Sequence, residues 1–113
     1  PPQLVEDLPT VAEFAREFTL MSVVKLRIEI ERALRELAER RGIAFDRPVG
    51  IMNMLRDLRR QGPMPASTEQ MLGALRVMNE ASHGVDVDAD AAKRAVDAGT
   101  VFLAELKAMH FNE

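Results

Sequence analysis

The run LMSVVKLRIEIERALRELAERRG, residues 20–42, decides the fold. Its apolar positions Val23, Leu26, Ile30, Ala33, Leu34 and Leu37 recur at spacings of three and four, the period of a helix that buries one face. The opposite face carries Glu31 with Arg35 and Arg32 with Glu36, opposite charges one turn apart that support a solvated helix surface. Thr19 offers an N-cap ahead of the run and Gly42 a left-handed stop behind it. The spacing predicts one long amphipathic helix.

The same reading extends in both directions. Upstream, Pro9-Thr10 opens a short amphipathic helix over residues 11–18, with Val11, Phe14, Ala15 and Phe18 on one side. Downstream, a loop over residues 43–48 leads to a second helix, 49–61, lined by Ile51, Met54, Leu55 and Leu58. Gly62-Pro63-Met64-Pro65 stops it. Ser67 or Thr68 caps a third helix that runs to His83, with Gly84 just past its end. Asp88 caps a fourth, 89–109, whose inward positions are Ala92, Val96, Gly99 or Thr100, Leu103 and Leu106. Nothing alternates with a period of two for long enough to make a strand. The expected fold is all-α: a small antiparallel bundle of four main helices plus a short N-terminal helix. Residues 1–19 form the lead-in and residues 20–113 the bundle.

Composition bounds the function. The chain has 113 residues, 47% apolar and 29% charged, which suits one compact domain and argues against disorder. No apolar run is long enough to span a bilayer. There is no Cys, so a zinc site would depend on His83 and His110 with carboxylates, and no metal site is expected. Five Phe with no Tyr or Trp leave little for base stacking, and a net charge of −3 does not suit coating nucleic acid. The opening Pro1-Pro2, without an initiating Met or a signal pattern, reads as a piece of a longer protein. Charge is uneven: residues 22–61 carry +4 and the remainder −7. The basic part includes Arg40, Arg41, Arg56, Arg59 and Arg60. Two readings stand for these five. They complement helix C-termini, or they face a phosphate backbone or an acidic partner.

Phosphate loops, nucleophile elbows and HExxH are absent, and no cofactor is expected. Asp86, Asp88 and Asp90 lack the glycine and distal glutamate of a calcium loop and suit a helix start instead. The informative stretch is LGALRVMNEASHG, residues 72–84. At about 100° per residue, Arg76, Asn79, Glu80 and His83 share one third of the helix circumference, beside an apolar face of Met71, Leu75, Met78 and Ser82. In a structural reading Arg76 pairs with Glu80, Asn79 bonds across the bundle and His83 caps the helix end. In a functional reading Arg76 or Asn79 binds a phosphate and His83 performs acid–base work.

The order of a long charged helix, a second helix, a Pro-rich break and a helix ending N-x-x-x-H-G resembles the HEPN superfamily, over most of the chain from Leu20 to Leu106. The likeness is greatest to an uncharacterised bacterial branch with that motif followed by a final helix. The resemblance implies an all-α fold, dimerisation and, in active members, a metal-independent ribonuclease with His and Arg from both subunits around the scissile phosphate. Asn79 matches the polar position of that motif and His83 its histidine. The chain departs from it at Met78, where the commonest active form has Arg. Arg76 keeps the loose spacing to His83, but Met78 points about 160° away from it around the helix, and Met supplies no positive charge.

The expected function is therefore a non-catalytic interaction and dimerisation module, pairing through a Met- and Leu-rich helix face left uncovered in one protomer. The alternative is an RNA-binding or metal-independent ribonuclease domain using Arg76, Asn79 and His83, guided by the basic helix ends. Expected partners are a second copy, another protein or RNA. The segment itself does not insert in a membrane; the resemblance implies a cytoplasmic face, tethered through an N-terminal segment.

Overall fold

Thr10 and Glu13 start the first helix. The Thr10 hydroxyl accepts from the Glu13 N–H and the Glu13 carboxylate accepts from the Thr10 N–H, both at 3.1 Å, so two orphan donors of the first turn are satisfied reciprocally. The computed structural model describes residues 10–45, 49–84 and 86–112; the expected lead-in over residues 1–9, the loop residues 46–48 and Val85 lie outside them. From that capping box, α1 runs unbroken through Val11–Arg40. The expected break at Thr19 is absent. Its hydroxyl donates to the Ala15 carbonyl at 2.9 Å inside the helix, a back-bond open to any mid-helix Thr. The short N-terminal helix and the long one are thus one element, and the boundary drawn at residue 19 falls in its middle. At the other end Gly42 takes φ +70° and Ile43 N–H reaches the Ala38 carbonyl at 2.9 Å, closing the helix as its sequence predicts.

Three further helices follow: α2, Ile51–Gln61; α3, Thr68–Ser82; and α4, Ala89–Asn112. No strand occurs among the described residues, so the all-α bundle is the fold. The predicted face of α2 is buried in full, through Ile51, Met54, Leu55 and Leu58. Asp88 caps α4 as expected, accepting from the Ala91 N–H at 3.2 Å. The Ser67 hydroxyl does not cap α3; the Glu105 carboxylate accepts from the Ser67 N–H at 3.4 Å instead, and Thr68 donates its hydroxyl to the Pro65 carbonyl at 2.6 Å.

α1, α3 and α4 pack on one another, each touching the other two, and α3 runs antiparallel to both α1 and α4. Asn79 meets Arg27 while Asp86, beyond the end of α3, meets Arg16; Ser67 meets Glu105 while Val77 shares a groove with Ala91 and Ala95. The shared core holds Val23, Ile30, Leu34 and Leu37 from α1, Met71, Leu75 and Met78 from α3, and Phe102 and Leu106 from α4.

The rotation of α4 differs from the expected one. Ala92, Ala95, Gly99, Phe102 and Leu106 face inward. Thr100 is exposed with its hydroxyl on the Val96 carbonyl at 2.7 Å, and Val96 and Leu103 lie at the edge. Gly99 explains the difference. A Cβ there would lie 2.6 Å from Met78 Cε and 2.8 Å from Leu26 Cδ2, so α4 approaches α1 and α3 more closely than a side chain at that position permits. That contact turns Phe102, three residues on, into the core. On the outer face of α1, Glu31 and Arg35 pair at 3.0 Å as expected, but Arg32 turns to Glu29 at 3.6 Å rather than to Glu36. Exposed pairs of this kind differ by tenths of a kcal/mol, so spacing alone does not choose between partners. No helix among the described residues is long and apolar enough to cross a membrane.

Candidate functional site

α3 carries the candidate site because its two faces differ in chemistry. Met71, Leu75 and Met78 are fully buried and fix the helix against α1 and α4 by apolar burial. That burial sets the outward strip. Arg76 Nε lies 3.2 Å from Glu80 Oε1, and the Arg76 side chain is 87% exposed. Asn79 is half-buried at the rim, where its Oδ1 accepts from Arg27 Nε at 3.0 Å. His83 ends the helix: its backbone N–H reaches the Asn79 and Glu80 carbonyls at 3.1 and 3.2 Å, followed by Gly84 at φ +76°. The imidazole is exposed and makes no hydrogen bond to a described residue.

Two parts of the expected structural arrangement are thus present, the Arg76–Glu80 pair and the bond from Asn79 across the bundle, while His83 ends the helix through its backbone rather than its ring. The partner of Asn79 was not legible. Arg27 lies 52 positions away in the chain, and its only local signal is a charge next to the core position Leu26. Met78, on the other side of α3, has its thioether methyl against Gly99 and the side chains of Leu26 and Ile30. It points away from the strip bearing Arg76 and His83, as its angle around the helix requires.

The basic residues do not project as one set. The Arg41 guanidinium turns inward, donating to the Pro63 carbonyl at 2.5 Å and the Leu58 carbonyl at 3.5 Å, and stacks 3.2 Å from where a Gly62 Cβ would stand. It thereby places a cation at the C-terminal end of α2, sharing the Leu58 carbonyl with the Gly62 N–H and bonding the Pro63 carbonyl beyond it. Arg59 pairs with Glu69 at the start of α3, and Arg60 lies 3.9 Å from Asp57. Arg40 and Arg56 are on the surface.

An open groove between the N-terminal half of α1 and the end of α3 is lined by Glu13, Arg16, Glu17, Leu20, Ala81, Gly84 and Asp86, and Arg16 pairs with Asp86 across it. His83, Asn79 and Arg76 are not part of its lining. Among the described residues no three His, Asp or Glu side chains gather as a metal site; the His110 side chain lies outside them.

The bonds on the strip predict unequal mutant costs. Arg27→Ala leaves the half-buried Asn79 oxygen without its charged donor and lowers stability by about 1–2 kcal/mol. Arg76→Ala breaks an exposed pair and costs less than about 0.5 kcal/mol. Urea denaturation of both variants checks the order, and equal losses would contradict it.

No family model, no curated protein and no solved structure matches this chain.

Proposed function

We propose that the chain is a HEPN-like helical domain serving as a non-catalytic interaction and dimerisation module. One observation carries the reading: α1 keeps a row of large apolar side chains in water. Val11, Phe18, Met21 and Ile28 are exposed on it, and a row of this size is unusual on a helix with no further partner. The face differs from the expected one. The Met- and Leu-rich face of α3 is consumed inside the protomer, and the uncovered face belongs to α1.

The polar strip of α3 supports the non-catalytic half of the reading. Asn79 is held by Arg27 and Arg76 by Glu80, and a buried Met78 stands where the active form of the resembled family carries its arginine. A phosphoryl-transfer site needs cationic donors aimed at the charge that develops on the phosphate, and each of these groups has another partner.

A second reading has its own observation. The His83 ring is exposed on the same strip as Arg76, which suits acid–base work on RNA. Incubating the chain with a mixed RNA panel in EDTA separates the two. The module reading predicts no cleavage by wild type. Cleavage that is lost in His83→Ala would replace it with a metal-independent ribonuclease, and loss in Arg76→Ala as well would assign Arg76 the phosphate.

A further inference from the structure

Val11, Phe18, Met21 and Ile28, the four most exposed large apolar residues of α1 among those described, follow a coiled-coil period, and Val24, at 36% exposed, flanks it. Val11, Phe18 and Lys25 are seven apart, as are Met21 and Ile28, and the second set follows Phe18 and Lys25 by three. This is the alternating three-and-four spacing of an a/d seam, with Val11, Phe18, Lys25 and Arg32 at a and Met21 and Ile28 at d. At about 100° per residue the seam lies roughly 160° around the helix from Val23, Ile30, Leu34 and Leu37, which face the bundle core. α1 is therefore apolar on two nearly opposite faces, and the bundle covers one of them.

We propose that this seam docks antiparallel on the same seam of a second copy, about a two-fold axis passing between Thr19 and Leu20. The inference rests on the interaction-module reading and names its surface, partner and register. Both apolar fit and charge select that occupant. With the axis there, position i faces position 39 − i, so Phe18 meets Met21 of the second copy and Val11 meets its Ile28, each pairing occurring twice. All four residues are at least half exposed in the single protomer, at 66%, 70%, 88% and 50% respectively.

By the same rule Lys25 takes the register position opposite residue 14 of the second copy, one turn from its Glu17. Lys25 and Glu17 are both exposed and neither has a hydrogen bond or ion pair with a described residue. A parallel pairing would stack Lys25 on Lys25 and Arg32 on Arg32, both at a positions, where like charge is penalised. On the order of 500 Å² of apolar side chain is uncovered per copy; with the stems of Glu17 and Lys25 this approaches the roughly 800 Å² per partner of a standard specific interface.

The chain contains no Cys, so single cysteines report the register directly. Val11→Cys and Ile28→Cys stand on exposed positions and leave the core untouched. In the antiparallel pair each cysteine faces the other on the second copy, whereas two copies of the same variant hold their cysteines about 25 Å apart along the helix, beyond any disulfide. Oxidation of the mixed variants is expected to give the mixed disulfide, and oxidation of either alone to give none. Met21→Glu is expected to keep the helical content and weaken the dimer by on the order of tenfold or more.

Disulfides formed by each variant alone would show a parallel pair and overturn the register. A dimer by light scattering with no disulfide in any mixture would place the contact on another surface, overturning this inference while leaving the module reading intact. A 12.6 kDa monomer for wild type would remove both.

Discussion

Met78→Arg lowers the free energy of unfolding by about 3–5 kcal/mol, the loss that accompanies an uncompensated buried charge. Met78 is fully buried, and its thioether methyl fills the space that Gly99 leaves open beside Leu26 and Ile30. A guanidinium placed there meets aliphatic carbon and a helix backbone whose carbonyls are already bonded, so its five donors go unpaired. Met78→Leu conserves volume and polarity and costs less than about 1.5 kcal/mol. Urea unfolding of the two variants beside wild type checks the difference. The result also bears on function. Active members of the resembled family carry arginine at this place, and introducing it here is expected to damage the fold rather than create a site. An arginine variant as stable as wild type would mean that the side chain reaches solvent from this position, and the non-catalytic reading would lose one of its supports.

The second large effect belongs to Gly99. Gly99→Val is expected to cost about 1–3 kcal/mol through overpacking, because a Cβ alone already falls 2.6 and 2.8 Å from Met78 Cε and Leu26 Cδ2. Gly99→Ala costs less. Both colliding atoms are the far ends of flexible side chains, and the helix gains about 0.5–1 kcal/mol when Gly becomes Ala in its interior. Because the collision is with Met78, the valine penalty shrinks on a Met78→Ala background, with a coupling on the order of 1 kcal/mol. Thermal or urea unfolding of the four-member cycle checks this, and strictly additive losses would place the strain elsewhere.

Local sequence and tertiary context contributed differently to what was legible. Ile51, Met54, Leu55 and Leu58 were readable because a clean three-and-four period stands between Pro48 and the Gly-Pro break; all four are buried, although the helix starts at Ile51 rather than at residue 49. Gly42, Gly84 and Asp88 were readable for the same reason: their chemistry is local to a helix end. Thr19 misled because a Thr hydroxyl serves equally as an N-cap or as a back-bond inside a helix, and the capping box at Thr10 and Glu13 decided the matter. α4 misled because its Ala-rich sequence offers two stripes of similar apolarity. The stripe containing Phe102 is the one that faces inward where Gly99 lies against Met78 and Leu26, a contact between helices that the local sequence does not display.

The candidate site divides along the same line. Arg76 with Glu80 is a one-turn spacing that the sequence displays, and the pair forms. Arg27 with Asn79 joins two helices far apart in the chain and follows from no periodicity. The seam on α1 was obscured by the assumed break at Thr19. Split there, Val11 and Phe18 belong to one short helix and Met21 and Ile28 to another; joined, they form one seam.

If this chain pairs with a copy of itself, as proposed, its mass in solution depends on concentration. Light scattering across a dilution series through micromolar concentration is expected to give twice the 12.6 kDa chain mass at the upper end, falling toward the single-chain value on dilution. A mass of one chain at every concentration would overturn the proposed self-pairing.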